Sequence, residues 1–266
     1  MNYTYQGDSY DTPVDAPKAI GDTLLFKRRL YFYYRFFSVI YKANSVIKKK
    51  GQYTNEDWAE NSYYTFRSVE NCGGKIHIKG MSNIIKIKEP VVFIGNHMST
   101  LETFLIPGIL CPRKPSSFVV KKELVDSKIF GLIMKSTSPI VVGRSNPMED
   151  LKTVLNEGTE KLKTGRSMIV FPQHTRSAVF KPDDFNSIGV KLAKKAGAKI
   201  IPFALKTDFM ENGKHFKDLG PIRRERDVYI EFAEPMDVEG NGKETHNKIV
   251  EFVKKKLLGW GGTVAQ

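Results

Sequence analysis

The chain has 266 residues, 41% hydrophobic and 27% charged, with 42 Lys and Arg against 29 Asp and Glu and hence a net charge of +13. That length suits one large α/β domain with a substantial core, and the composition is that of a globular chain, which excludes a multi-span membrane protein. The charge excess calls for an acidic partner (nucleic acid, anionic lipid or an acidic carrier), while two cysteines and five scattered histidines give neither a disulfide framework nor metal-ligand spacing.

The first seventeen residues are polar and acidic, unlike a signal peptide, and residues 1–20 are expected to be a flexible terminus. A reducing cytoplasm is the simplest compartment for a chain with two unpaired-looking cysteines, Cys72 and Cys111. Residues 21–70 form a helical segment of two expected helices, 23–50 and 53–70. Lys18 to Lys50 holds nine Lys or Arg and one acid, Asp22, so +8 of the +13 lies there together with eight aromatic residues. The apolar run Leu30 to Tyr41 is interrupted by Arg35 and is too short to span a bilayer, which takes about 20 apolar residues. Aromatic rings flanked by Lys and Arg match an interfacial helix, with anionic lipid contributing about 1 kcal/mol per basic residue near the surface. The other reading is a helix packed on the domain.

From Lys75 onward short apolar strands alternate with helical patterns. Strands are expected near 75–79, 84–88, 90–95, 116–120, 139–142, 167–171, 199–205 and 228–232, and helices near 100–110, 122–136, 148–164, 187–196 and 244–258. This alternation predicts an α/β fold, a mostly parallel sheet flanked by helices, over residues 71–266, preceded by the N-terminal basic-aromatic helical segment. No internal repeat or long interior linker divides it. His77 lies in an alternating strand pattern and reads as structural.

Two segments carry chemistry. Pro90 to Gly95 (Pro-Val-Val-Phe-Ile-Gly) reads as a strand buried on both faces, with Asn96 and His97 at its carboxyl end, where open α/β sheets bind ligands. Glu102 follows five residues after His97. Within one helix that spacing puts two side chains about 140° apart, so the pair meets only if His97 precedes the helix and Glu102 points back from its first turns. Glu102 then accepts the Nδ1–H of the imidazole and leaves Nε2 free to take a proton. The second segment follows the apolar stretch Ser167 to Phe171 and reads Pro172-Gln173-His174-Thr175-Arg176-Ser177. Arg176 presents a planar fork suited to phosphate, with hydroxyls beside it.

Together, His-x-x-x-x-acid and Phe-Pro-x-x-Thr-Arg-Ser resemble the lysophospholipid acyltransferase family, which includes the 1-acyl-glycerol-3-phosphate acyltransferases. The family more often has Asp where Glu102 stands, and Glu-Gly where Gln173-His174 stand. Gly131 to Arg144 resembles the family's second block, with Arg144 as its arginine and Ser138 at a place often held by Gly. Lys199 to Leu205 resembles its fourth, a strand interrupted by Pro202. The resemblance covers about residues 80 to 235. It implies that His97 and Glu102 are catalytic and that Arg144, Gln173, His174, Thr175 and Arg176 bind substrate. It implies acyl transfer from acyl-CoA or acyl carrier protein to a lysophospholipid hydroxyl, most simply 1-acyl-glycerol-3-phosphate, without metal or bound cofactor. The expected setting is peripheral or interfacial, on the cytoplasmic face of an anionic membrane, and no nucleic-acid module is found. Two other readings stay open: an acceptor such as a lyso-aminolipid, given Gln173-His174, and a non-catalytic protein that binds anionic surfaces or nucleic acid.

Overall fold

The computed structural model describes residues 7–25 and 29–265. Its central sheet has eight strands: β1 (Tyr10–Asp11), β2 (Ile76–Lys79), β3 (Val92–Gly95), β4 (Ser116–Lys121), β5 (Ile140–Val142), β6 (Ser167–Val170), β8 (Ile200–Lys206) and β9 (Val228–Phe232), in the order β1-β2-β9-β8-β3-β6-β4-β5. Two short strands, β7 (Val179–Phe180) and β10 (Thr263–Val264), pair in parallel apart from it. Every neighbouring pair in the large sheet is parallel except β1 with β2 and β8 with β9. The mostly parallel α/β expectation therefore holds.

The strands' burial follows from their composition. β3, β6 and β8 are buried at every position, as continuous apolar runs in the middle of a parallel sheet require. β9 alternates and has one half-covered face. Helices α5 (Leu101–Leu110), α8 (Pro147–Lys163), α9 (Ile188–Ala196) and α10 (Lys243–Gly259) fill the crossovers and flank the sheet. α8 starts where the Asn146 side chain accepts the Met148 and Glu149 N–H groups and Pro147 supplies a preset φ.

The N-terminal segment is α1 (Ile20–Leu24), α2 (Arg29–Lys50) and α3 (Asn55–Asn71). A capping box between Thr54 and Asp57 begins α3. α2 has two faces. Phe32, Phe36, Ile40, Ala43 and Ile47 recur at helical spacing and are buried, with Phe32 against Phe209 and Phe36 against Phe104. Leu30, Tyr34, Phe37 and Tyr41 are exposed, Tyr41 by 76%. The expectation of a helix packed on the domain thus holds for one side of α2, while its opposite side leaves an aromatic face exposed. Among the described residues no helix is long and apolar enough to cross a membrane.

Several expectations are corrected. Residues 84–88 do not form a strand: the chain turns at Gly80 into α4 (Met81–Ile85), with Ile84 buried and Ile85 exposed. The single helix expected over 122–136 is two, α6 (Lys122–Val125) and α7 (Gly131–Ser136). Pro202 does not interrupt its strand, since β8 runs through it, opposite Ile94. Within the segment expected to be flexible, Tyr10 and Asp11 pair with β2, and the Tyr10 hydroxyl donates to buried Glu70. Of the helix expected over 23–50, residues 26–28 lie outside the described residues.

Candidate active site

The site forms at the carboxyl ends of β3, β4, β6 and β8. Gly95 ends β3 against the Phe203 ring, which lies 2.4 Å from where a Cβ would stand, so only glycine fits there. Asn96 then uses its amide as a piece of strand, accepting the Leu205 N–H at 2.9 Å and donating to the Leu205 carbonyl at 2.8 Å. His97 is held at its backbone by the second motif: its N–H donates to Gln173 Oε1 at 2.6 Å, and its carbonyl accepts the Ser177 N–H at 3.0 Å. Its ring stacks on Phe171, centroids 4.3 Å apart and 13° from parallel. The stack continues through Phe118, 6.0 Å on, to an edge contact with Trp58.

Glu102 does point back from the first turn of α5. Its Oε1 is 2.9 Å from His97 Nδ1 and accepts the Met98 and Ser99 N–H groups at 2.6 and 2.8 Å. Oε2 accepts the Thr207 hydroxyl at 2.5 Å, with Ser99 Oγ at 2.9 Å. The residue is fully buried. Burial alone would raise its carboxyl, but the His97 and Thr207 hydrogen bonds outweigh that and hold it below the ordinary carboxylate value. A carboxylate so held accepts rather than donates, which puts the proton of His97 on Nδ1 and leaves Nε2 as the free base.

Arg176 does not stand open. One guanidinium nitrogen contacts Asp218 Oδ1 at 2.5 Å, and the Thr100 hydroxyl donates to the same oxygen at 2.6 Å. Thr175 Oγ1 accepts from Lys217 Nζ at 2.9 Å. Arg144 has a left-handed backbone (φ 61°), its N–H and that of Gly143 donate to Asp150, and its guanidinium reaches the His174 carbonyl. Ser138, where the family often has glycine, is left-handed too (φ 52°). His174 is exposed and keeps a negative φ, so its replacement of Gly costs no left-handed position.

The structure therefore brings His97, Glu102, Gln173, Thr175 and Arg176 together and ties Arg144 to the same turn. Gln173 is buried, and its side-chain oxygen serves the His97 backbone rather than open space. Four contributors were missed in the sequence. Thr207, Lys217 and Asp218 lie beyond β8, with no motif to mark them. Lys121 ends β4, at the level where parallel strands present ligand-binding residues, and that position was the available signal. Burial lowers the Lys121 ammonium, and the Arg144, Lys217 and Arg176 cations lower it further against the opposing pull of Glu123. These four cations share one electrostatic neighbourhood. Beside them a cavity of about 420 Å³ lies between β5, β6, α8 and α9, with Val119, Val142, Val154 and Ile188 on its apolar walls and Arg144, Gln173 and His174 on its polar ones.

The acyltransferase family profile matches residues 75–206, which contain every one of the motif residues above. The chain is 29% identical over 187 residues to the 1-acyl-sn-glycerol-3-phosphate acyltransferase of Pseudomonas aeruginosa, covering 70% of this chain and 68% of that one. The chain belongs to the acyltransferase family. This acyltransferase is also 33% identical over 190 residues to the 1-acyl-sn-glycerol-3-phosphate acyltransferase of Saccharomyces cerevisiae, over 70% of its own length but 59% of the yeast protein's. Its fold matches the crystal structure of the 1-acyl-sn-glycerophosphate acyltransferase from Thermotoga maritima with a TM-score of 0.66 and 22% identity, over 93% of this chain and 99% of that one. The enzyme is accordingly an O-acyltransferase acting with an acyl donor and a lysophospholipid acceptor.

Proposed function

We propose that this acyltransferase moves a fatty acyl group from an acyl thioester, acyl-CoA or acyl carrier protein, to the free hydroxyl of 1-acyl-glycerol-3-phosphate, giving phosphatidic acid. The observation that carries the reading is the His97–Glu102 pair, with Glu102 buried and the His97 backbone bonded on both sides to the turn that bears Arg176. His97 Nε2 takes the acceptor's hydroxyl proton as the oxygen attacks the thioester carbonyl. The C–S bond then breaks, and the departing thiolate takes that proton from the imidazolium, so the enzyme ends as it began. Glu102 fixes the tautomer and stabilises the imidazolium. Arg176 and Arg144, with Lys217 and Lys121 nearby, hold the acceptor phosphate and so place its hydroxyl at His97. Gln173 acts on His97 through its backbone, and the Gln173-His174 departure therefore leaves the cation set untouched, which favours a phosphate-bearing acceptor over a lyso-aminolipid. The apolar walls of the cavity suit a hydrocarbon chain.

The free face of α2, with Leu30, Tyr34, Phe37 and Tyr41 among basic residues, supports a peripheral seat on an anionic membrane. The deciding assay offers purified enzyme one labelled acyl-CoA and a panel of lyso-acceptors. Product with 1-acyl-glycerol-3-phosphate well above the rest supports the reading; product only with an acceptor lacking phosphate refutes it.

A further inference from the structure

The loop between β8 and β9 belongs to none of the motifs, yet it reaches into the site. Asp218 on this loop occupies the Arg176 guanidinium, and the same oxygen accepts the Thr100 hydroxyl. Next to it Lys217 donates to Thr175, while the Leu219 and Gly220 carbonyls accept from Arg29 and Tyr33 of α2, at 3.3 and 2.7 Å. The loop is thus tied at both sides of Asp218, and the carboxylate cannot travel far when it is displaced. The Arg176 side chain is 18% exposed and that of Asp218 40%, so the pair lies where an incoming anion meets it.

If Arg176 is the acceptor's phosphate clamp, as proposed above, any acceptor must displace a carboxylate that stays close by. A phosphodiester headgroup brings one negative charge, no more than the carboxylate it replaces, and then sits beside that carboxylate. A phosphomonoester brings a charge of about −1.5 to −2 at pH 7 and three terminal oxygens, enough to hold Arg176 and to engage the further cations at Lys217, Lys121 and Arg144. We propose that Asp218 is a specificity-determining residue, an internal competitor for Arg176 that admits lysophospholipids ending in a phosphomonoester and turns away those with a phosphodiester headgroup. It acts by penalising the wrong acceptor rather than by attracting the right one.

The test compares wild type with Asp218→Asn and Asp218→Ser, each checked for an unchanged melting temperature. kcat and KM are measured for 1-acyl-glycerol-3-phosphate and for 1-acyl-glycerophosphoglycerol in the same mixed micelles with one acyl-CoA. Removing one like charge from beside the headgroup should lower the monoester-to-diester ratio of kcat/KM by about tenfold, chiefly through a lower KM for the diester. Thr100→Val frees Asp218 without altering it and should move the ratio the same way by less. An unchanged ratio overturns the proposal, as does loss of monoester activity with no gain on the diester, which would mean that Asp218 merely aims Arg176. A wild type that uses no phosphate-bearing acceptor at all would instead overturn the clamp reading on which this rests.

Discussion

The two halves of the site are built in opposite ways. Around His97 the hydrogen-bond partners come from inside the fold: Glu102 is fully buried and receives hydrogen bonds from two backbone N–H groups, Thr207 and the imidazole, and His97 is clamped by Gln173 and Ser177. On the arginine side the partners are loop-borne and partly exposed: Asp218 for Arg176, Thr175 for Lys217. A buried, saturated network is costly to alter and holds one geometry. An exposed ion pair is worth little and exchanges readily. The chemistry is thus placed where the protein does not move, and recognition where one anion can replace another.

That contrast can be broken most strongly at His97. His97→Ala removes the base, so turnover should fall by about 10²–10⁴-fold even in protein that remains folded. A folded variant with near-normal turnover would show that the buried half is not the chemical half. Glu102→Gln should cost both activity and stability, because an amide NH₂ cannot accept from the surrounding donors, and one buried orphaned group costs about 1–3 kcal/mol. The acid limb gives an independent check. The Glu102 carboxyl lies below its ordinary value in the fold, so its stabilisation is complete above the unfolded pKa of about 4.3 and is lost as pH falls through the lower folded value. Wild type should therefore show a steeper loss of melting temperature below about pH 4.3 than Glu102→Gln; equal slopes would refute the assignment.

On the recognition side the effects should be smaller and confined to one substrate. Arg176→Lys keeps the charge and loses the fork, and the acceptor KM should rise by about tenfold with the donor KM unmoved. Parallel changes in both constants would remove Arg176 from the acceptor's phosphate. The smallest effect is expected at the free face of α2. Deleting residues 1–50 would strip Phe32, Phe36 and Ile40 from the core and unfold more than it informs. Tyr34→Ser with Tyr41→Ser changes only exposed rings, and should weaken co-sedimentation with anionic vesicles by several-fold at unchanged melting temperature. Unchanged binding would place the membrane contact elsewhere.

How much was legible follows the same divide. β3, β6 and β8 announce themselves as continuous apolar runs, and His97 with Glu102 could be placed by spacing because five residues bridge a strand end and one helical turn. Asp218 could not be found that way, since it meets Arg176 across 42 positions and Thr100 across 118, from a loop of no regular pattern. α4 was misread because Ile84-Ile85-Lys86-Ile87-Lys88 contains a strand-like alternation. The packing of Gly80 decided otherwise: its φ is 75°, and a Cβ there would stand 2.0 Å from the Phe232 carbonyl. β1, β7 and β10 are two residues long, too short for any periodicity to show. The bond from the His97 N–H to Gln173 could not be read in advance, because type and position cannot say which way a side chain points.

The ring stack behind His97 makes the enzyme its own optical probe. Of its two tryptophans, Trp58 is buried two phenylalanines away from the imidazole, whereas Trp260 stacks on Tyr229 of β9, on the other side of β3 in the sheet order. With Trp260 replaced by phenylalanine, the remaining indole emission would report on the catalytic corner alone, and stopped-flow mixing could time the arrival of each substrate without any label.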